Sequence, residues 1–194
     1  GDEMKRKTLT VLSVAAAALF LLSAAGPAPC DEAGQPRAAG TSIVAVVPVE
    51  GVIGIALEEH LRESVARAGE EGAALMILVM DTPGGLSSSM REIIQLIQGA
   101  PFPVAAWVSP QGARAASAGA FLVEASHIAV MAPGTNMGAA HPVVALGGDI
   151  PDADMKKKVV SDFAAQMRAL AGLRGRDAAA AEKMVTESVS YTAG

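Results

Sequence analysis

The stretch "LMILVMDTPGG", residues 75–85, decides the fold class. Its first six residues are an unbroken apolar run, which is typical of a buried strand. In the remainder, Pro83 pre-sets a turn, and Gly84 and Gly85 allow positive φ and a close approach of the backbone. We therefore predict a strand over 75–80 and a turn over 81–85. That turn is either a plain strand-to-helix connection or a set of exposed N–H groups that point at a ligand oxygen.

Similar runs on either side extend the pattern. Apolar strands are predicted at residues 43–49, 103–108 and 127–132. Apolar residues at helical spacing predict helices at residues 57–71, 86–100 and 152–176. Strands that are apolar on both faces and alternate with helices indicate an α/β domain with a mostly parallel sheet and flanking helices.

Composition excludes several classes of function. The 194 residues suffice for one domain with extra segments. A net charge of −5, with no basic stripe, argues against a nucleic-acid partner. The lone Cys30 excludes an internal disulfide and a cysteine-cluster metal site. No metal and no cofactor are predicted.

The N-terminus predicts export. "MKRK" (4–7) precedes an apolar run of 18 residues over 8–25, a pattern typical of a secretory signal. We favour a cleaved signal, although the run is also long enough for an uncleaved anchor. Residues 26–42 are rich in Gly, Pro and Ala and are predicted to be a linker. The remaining domain, 43–194, is expected in the periplasm or at the outer face of the cytoplasmic membrane.

A single hydroxyl stands out in "GARAASAGAF", residues 112–121. Ser117 follows the strand at 103–108 and is predicted to open a helix, where N–H groups could face a developing oxyanion. Turns after neighbouring parallel strands lie side by side, so Gly84 or Gly85 and Ala118 could form an oxyanion hole around Ser117. The competing interpretation is a structural serine in a tightly packed helix.

A serine nucleophile needs a base, and the residues alone leave two sources open. His60 lies on an amphipathic helix and His127 begins a strand, so both are expected to be structural. His141 lies in a loop, and three lysines, Lys156, Lys157 and Lys158, open the long helix. The apolar stripe of that helix places Lys156 closer to the core than Lys158.

Five motifs in order resemble the NfeD membrane-bound serine proteases. They are "PVEGVIG" (48–54), "DTPGG" (81–85), "ARAASAGAF" (113–121), "GTNMGAAHPV" (134–143) and "LAGLRGRD" (170–177). That family is related to signal peptide peptidase A and has the ClpP/crotonase superfold, which the resemblance implies for residues 43–192. It also implies a Ser–Lys dyad, whose lysine is Lys158, 41 residues after Ser117. The domain is expected to be incomplete at its C-terminal end.

The resemblance implies an endopeptidase that cleaves hydrophobic segments of membrane-associated proteins, with a stomatin-like protein as partner and a homodimer or higher oligomer as assembly. Three alternatives stay open. A ClpP-type peptidase would use His141 as its base. A non-catalytic scaffold would keep the fold and bind a membrane partner. An acyl-CoA hydratase of the same superfold would explain neither the export signal nor Ser117 with a downstream lysine.

Overall fold

The computed structural model describes residues 42–143 and 150–193. Its elements, in chain order, are β1 Val44–Ile53, α1 Ile55–Glu70, β2 Leu75–Gly85, α2 Ser87–Gly99, β3 Val104–Val108, β4 Arg114–Ala115, α3 Ala118–Ala125, β5 Ile128–Met131, β6 Asn136–Gly138, α4 Ala153–Leu173, α5 Ala178–Thr186 and β7 Ser190–Thr192. The predicted signal or anchor, 1–25, and nearly all of the linker lie outside the described residues. Within the described ranges, no helix has the length and apolar character needed to cross a bilayer.

The strands form a mostly parallel sheet, as predicted. Among the described residues, the strand order is β5-β3-β2-β4-β6-β7. Strand β1 pairs with the edge of β2 opposite to β3. Only the pairing of β6 with β7 is antiparallel. Strand β2 is the centre of the arrangement, because β1 and β3 pair with it along its first part and β4 pairs with it at Thr82. This topology brings the end of β2 next to the segment that leads into α3.

The core lies on one face of the sheet. Alternate residues of the central strands point to this face, and Val49, Met80 and Val108 have no exposed area. The apolar stripe of α2 packs into the same core through Met90 and Ile93. Helix α3 contacts both β2 and α2, so it is buried between the sheet and its neighbours.

The opposite face of the sheet differs from the sequence prediction. Its residues are apolar, as expected, but Val46, Trp107 and Val130 are 61%, 40% and 48% exposed. An apolar run predicts burial on both faces, because in most parallel sheets helices cover both faces. In the part of the chain that the structure describes, these side chains are not covered, so the prediction of strands buried on both faces is wrong here.

Two further segments differ from prediction. The stretch "DTPGG" continues strand β2 instead of forming a separate turn, because Asp81, Gly84 and Gly85 pair with β1 across an irregularity between Glu50 and Val52. No element is predicted after residue 176, yet α5 and β7 follow. Strands β4 and β6 were also not predicted, since two or three residues are too few to show periodicity.

Candidate active site

Ser117 occupies a strained turn between a strand and a helix. It directly precedes α3 and lies two residues after β4, with φ 52° and ψ −120°. A positive φ is uncommon for a residue with a side chain, and it persists only where the surrounding structure enforces it. The strand–turn–helix arrangement is one that exposes a serine nucleophile at the end of a sheet.

The glycines of β2 lie against this turn. A Cβ added at Gly84, whose φ is +100°, would lie 2.5 Å from Ser117 Cβ and 3.1 Å from Ala118 N. A Cβ added at Gly85 would lie 2.0 Å from Ile53 O. Neither position has room for a side chain, so the sequence prediction that these glycines allow a close backbone approach is confirmed.

Thr82 distinguishes the two glycine N–H groups. The Gly84 N–H donates to Thr82 Oγ1 at 3.0 Å, and the Thr82 hydroxyl donates to Gly51 O at 2.6 Å. The Leu86 N–H donates to Ile53 O of β1. Successive N–H groups of a regular strand point to opposite edges, which makes the Gly85 N–H the candidate donor on the side away from β1.

The beginning of α3 contributes a second donor. The Ser117 N–H is not a candidate donor to a ligand, because it donates to Ala139 O at 2.8 Å. Ala118 is the first residue of α3, and the first N–H groups of a helix have no acceptor within it. These groups also carry the partial positive charge of the helix N-terminus. The N–H groups of Gly85 and Ala118 are therefore the candidate oxyanion donors of this site.

Ser117 opens into a cavity of about 380 Å³, referred to below as the Ser117 cavity. Most of the residues that line it have apolar side chains: Gly85, Leu86, Ser87, Met90, Ser117, Ala118, Phe121, Ala140, Pro142, Val143, Ile150, Val159 and Phe163. A cavity of this size and character suits an apolar side chain or a short apolar peptide segment. None of the described lining residues is basic.

His141 lies close to this cavity in sequence but turns away from it. Its neighbours Ala140 and Pro142 line the Ser117 cavity, whereas His141 lines a separate groove between α4 and α5 together with Lys156, Arg168 and others. The His141 Nδ1–H donates to Val185 O at 2.9 Å. This bond holds the ring against α5.

The structure does not bring Lys158 to the Ser117 cavity. Lys158 is exposed and lines a shallow groove with Asp162 and Ala165, while Val159 and Phe163 are the residues of α4 that face the cavity. Lys156 is half-buried, in agreement with the helical phase of the apolar stripe, but it faces the same groove as His141.

Two arginines for which the sequence predicts no role fix this region. Arg174 and Arg176 reach the end of α3: Arg174 Nε donates to Ala125 O at 2.8 Å, and Arg176 binds several acceptors there.

Burial raises the pKa of the Glu124 carboxyl, and the nearby Arg176 opposes that rise. Burial, and secondly Arg174, lowers the pKa of His127, whose Nδ1 accepts from Val104 N–H. The motif "LAGLRGRD" was the only available signal for the two arginines, whereas nothing singled out Thr82.

The described residues contain no cluster of three or more His, Cys, Asp or Glu side chains that could hold a metal ion. The arrangement is that of an α/β domain of the ClpP-like class, with a serine at a strained strand-to-helix turn beside a glycine pair. The family described as "NfeD1b, N-terminal domain" matches residues 43–193. The chain belongs to this family.

Two curated relatives are similar to parts of this chain. The membrane-bound protease PH1510 of Pyrococcus horikoshii is 34% identical over 151 residues, which cover 78% of this chain and 34% of the relative. The membrane protein NfeD1b of Bacillus subtilis is 42% identical over 98 residues, covering 50% of this chain and 22% of the relative. The chain thus spans about a third or less of the relatives' lengths.

Three solved structures are also similar to this chain. A serine-to-alanine mutant of the 1510-N membrane-bound stomatin-specific protease has a TM-score of 0.73 at 35% identity, covering 79% of this chain and 74% of the other. A lysine-to-alanine mutant of the same protease, in complex with a substrate peptide, has a TM-score of 0.72 at 34% identity, covering 78% and 69%. ClpP1 of Listeria monocytogenes, with a TM-score of 0.61 at 16% identity over 76% and 82% of the two chains, shows the fold alone.

Proposed function

We propose that this domain is a serine endopeptidase that cleaves apolar polypeptide segments, with Ser117 as nucleophile and Lys158 as general base. The observation that carries the proposal is the strained turn at Ser117, which opens into a cavity lined mostly by apolar side chains. A structural serine in a packed helix needs neither the positive φ nor the cavity.

The reaction follows from this geometry. Ser117 Oγ attacks the carbonyl carbon of the scissile bond while Lys158 Nζ accepts its proton. The N–H groups of Gly85 and Ala118 stabilise the oxyanion, a contribution of roughly 3–4 kcal/mol per donor. Lys158 then returns the proton to the leaving amine, and water releases the acyl group from Ser117.

The choice of Lys158 rests on the relatives. The two variants of the 1510-N protease replace a serine and a lysine that lie 41 residues apart in that protein, the same separation as between Ser117 and Lys158. Adjacent residues of a helix differ by about 100° in direction, and Val159 already faces the cavity. A rotation of roughly that size in the first turns of α4 carries Lys158 towards Ser117, and we propose that it accompanies filling of the cavity by a peptide.

The packing of α4 supports such a rotation. All of its buried residues, Ala164, Met167, Leu170 and Ala171, lie in its second half. The first half packs against the core only through partly buried side chains such as Val160 and Phe163. We propose that a change in its position therefore costs less than a change in the second half.

The substrate proposed is an apolar segment of a stomatin-like, membrane-associated protein. The relatives support this assignment, since the 1510-N protease is named stomatin-specific and PH1510 is named membrane-bound. The apolar lining of the Ser117 cavity is compatible with such a segment. We also propose an exported location, which the N-terminal sequence predicts, and a membrane-associated homo-oligomer, which the family resemblance implies.

The test is cleavage of a quenched fluorescent peptide that carries the apolar C-terminal segment of a stomatin-like protein, beside a polar peptide of equal length. We expect cleavage of the apolar peptide only, abolished by Ser117→Ala. Ser87→Ala is the matched control, because Ser87 also lines the Ser117 cavity, and it should retain activity within a few-fold. A folded wild-type domain that binds the peptide without cleaving it would favour a non-catalytic scaffold.

A further inference from the structure

The C-terminal end of α3 is held by a dense set of hydrogen bonds from one arginine. Arg176 Nη1 donates to Val123 O at 2.9 Å and to Glu124 O at 2.8 Å, and Nη2 donates to Ser126 O at 2.8 Å. Nη1 also lies 3.3 Å from Glu124 Oε2. The last carbonyls of a helix lack the usual partners within it. Here the Arg176 guanidinium binds two of them, those of Val123 and Glu124, and also the carbonyl of Ser126, which directly follows the helix.

Helix α3 is too short to hold its own position. It has eight residues, all of them buried, and helices of this length are not stable without tertiary contacts. At 1.5 Å per residue its ends are only about 12 Å apart. A displacement at the end that Arg176 holds is therefore transmitted to the end that carries Ser117 and the Ala118 N–H.

The charge on Arg176 has the sign that this location favours. A cation near a helix C-terminus interacts favourably with the helix dipole. Glu124, 7% exposed, gives the guanidinium a carboxylate partner and prevents an unpaired buried charge. Gly175, with φ 66°, makes the reversal that places Arg176 beyond the end of α4.

We propose that Arg176 is a positioning residue for the nucleophile: by binding the carbonyls of Val123, Glu124 and Ser126, it fixes α3 and thereby the placement of Ser117 Oγ and the Ala118 N–H. Arg176 does not touch the substrate. This inference rests on the proposed function, since it assigns Arg176 a role in the same site.

The alternative is an arginine that stabilises the fold without affecting the geometry of the site. Arg168 provides a matched control for that role. It pairs with Glu182 between α4 and α5, so it is also an arginine–glutamate contact of the C-terminal region. Among the described residues, its side-chain hydrogen bond goes to Glu182 and not to α3. Arg176→Met and Arg168→Met each remove one such pair.

The experiment measures kcat and KM for the apolar peptide, with rates divided by the number of active sites titrated by a fluorophosphonate. We expect Arg176→Met to lower kcat per site about 100-fold, the effect of a shift of about 1 Å in a catalytic group, with KM within about threefold of wild type. The kcat per site of Arg176→Lys should lie between those of Arg176→Met and wild type. Arg168→Met should stay within about threefold of wild type in both kcat and KM.

Hydrogen exchange supplies a readout independent of activity. Amides of residues 113–121 should exchange faster in Arg176→Met than in Arg168→Met. Unchanged exchange there, or a wild-type kcat per site in Arg176→Met, would overturn the role of Arg176. A wild-type domain that neither cleaves nor reacts with the probe would instead refute the proposed function, while the exchange data would still test the contact between Arg176 and α3.

Discussion

The turn at Ser117 and the first half of α4 both border the Ser117 cavity, but they are held very differently. Every residue of α3 is buried, and Gly84 of β2 packs so closely against Ser117 that a Cβ added there would lie 2.5 Å from Ser117 Cβ. Before Ala164, α4 has no buried residue. The proposed nucleophile and oxyanion donors thus lie in a rigidly held region, whereas the proposed base lies in a part of α4 without fully buried residues. Preorganised donors supply most of the electrostatic stabilisation of a transition state, and a base can be brought into place when the substrate binds.

The largest effect on kcat is expected from a substitution at Gly84, in the rigidly held region around Ser117. Gly84→Ala should lower kcat by about 100-fold or more, because the new Cβ would lie 2.5 Å from Ser117 Cβ and the shift displaces the nucleophile. Gly72→Ala is the control, since Gly72 has a similar φ of +70° but no atom within 4 Å of the added Cβ. Comparable kcat losses in both variants, measured with the apolar peptide, would show that backbone strain alone is responsible.

How much of this could be read from the sequence depends on the range of the interactions. The parallel sheet and the meeting of Gly84 with Ser117 follow from local patterns and from the rule that turns after parallel strands share one edge. The direction in which Lys158 points could not be predicted, because it depends on which neighbours α4 packs against. The contact of Arg176 with Val123 spans 53 residues, and no local pattern encodes it.

A smaller effect is expected at Thr82. Thr82→Val removes the acceptor of the Gly84 N–H and leaves a buried donor unpaired, at a cost of about 1–3 kcal/mol in the free energy of unfolding. We expect a lower melting temperature and a fall in kcat of roughly tenfold, which corresponds to about 1.4 kcal/mol. Thr82→Ser, which keeps the hydroxyl, should recover most of both. Full activity in Thr82→Val would mean that this hydrogen bond does not shape the site.

For the first half of α4, we expect a substitution to raise kcat instead of lowering it. Arg91 of α2 pairs with Asp162 of α4 at 2.6 Å, with side chains 48% and 63% exposed, so the pair is worth at most about 1 kcal/mol. If the first half of α4 must rotate for catalysis, Arg91→Met should raise kcat slightly, by no more than about fivefold, since 1 kcal/mol corresponds to that factor. A tenfold fall in the same assay would indicate that the present position of α4 is the active one.

The smallest effect concerns pH and the far end of α3. Because burial raises the pKa of Glu124, the folded state binds its proton more tightly than the unfolded state does. Its contribution to the free energy of unfolding is therefore most favourable at low pH and is lost as pH rises from about 4.5 through the raised pKa. Melting temperatures between about pH 4 and 7 should show a weaker fall with pH in Glu124→Gln than in wild type. Parallel curves would contradict this.

The most direct test of the proposed dyad is the rate at which a fluorophosphonate phosphonylates the domain with release of fluoride, with the modified residue located by peptide mass analysis. The wild type should be labelled at Ser117, and Ser117→Ala should not be labelled. Lys158→Ala should slow labelling by about 100-fold or more, as expected for loss of a general base, while Lys156→Ala, Lys157→Ala and His141→Ala stay close to wild type. Labelling at another residue, or a wild-type rate in Lys158→Ala together with loss in His141→Ala, would contradict the Ser117–Lys158 assignment.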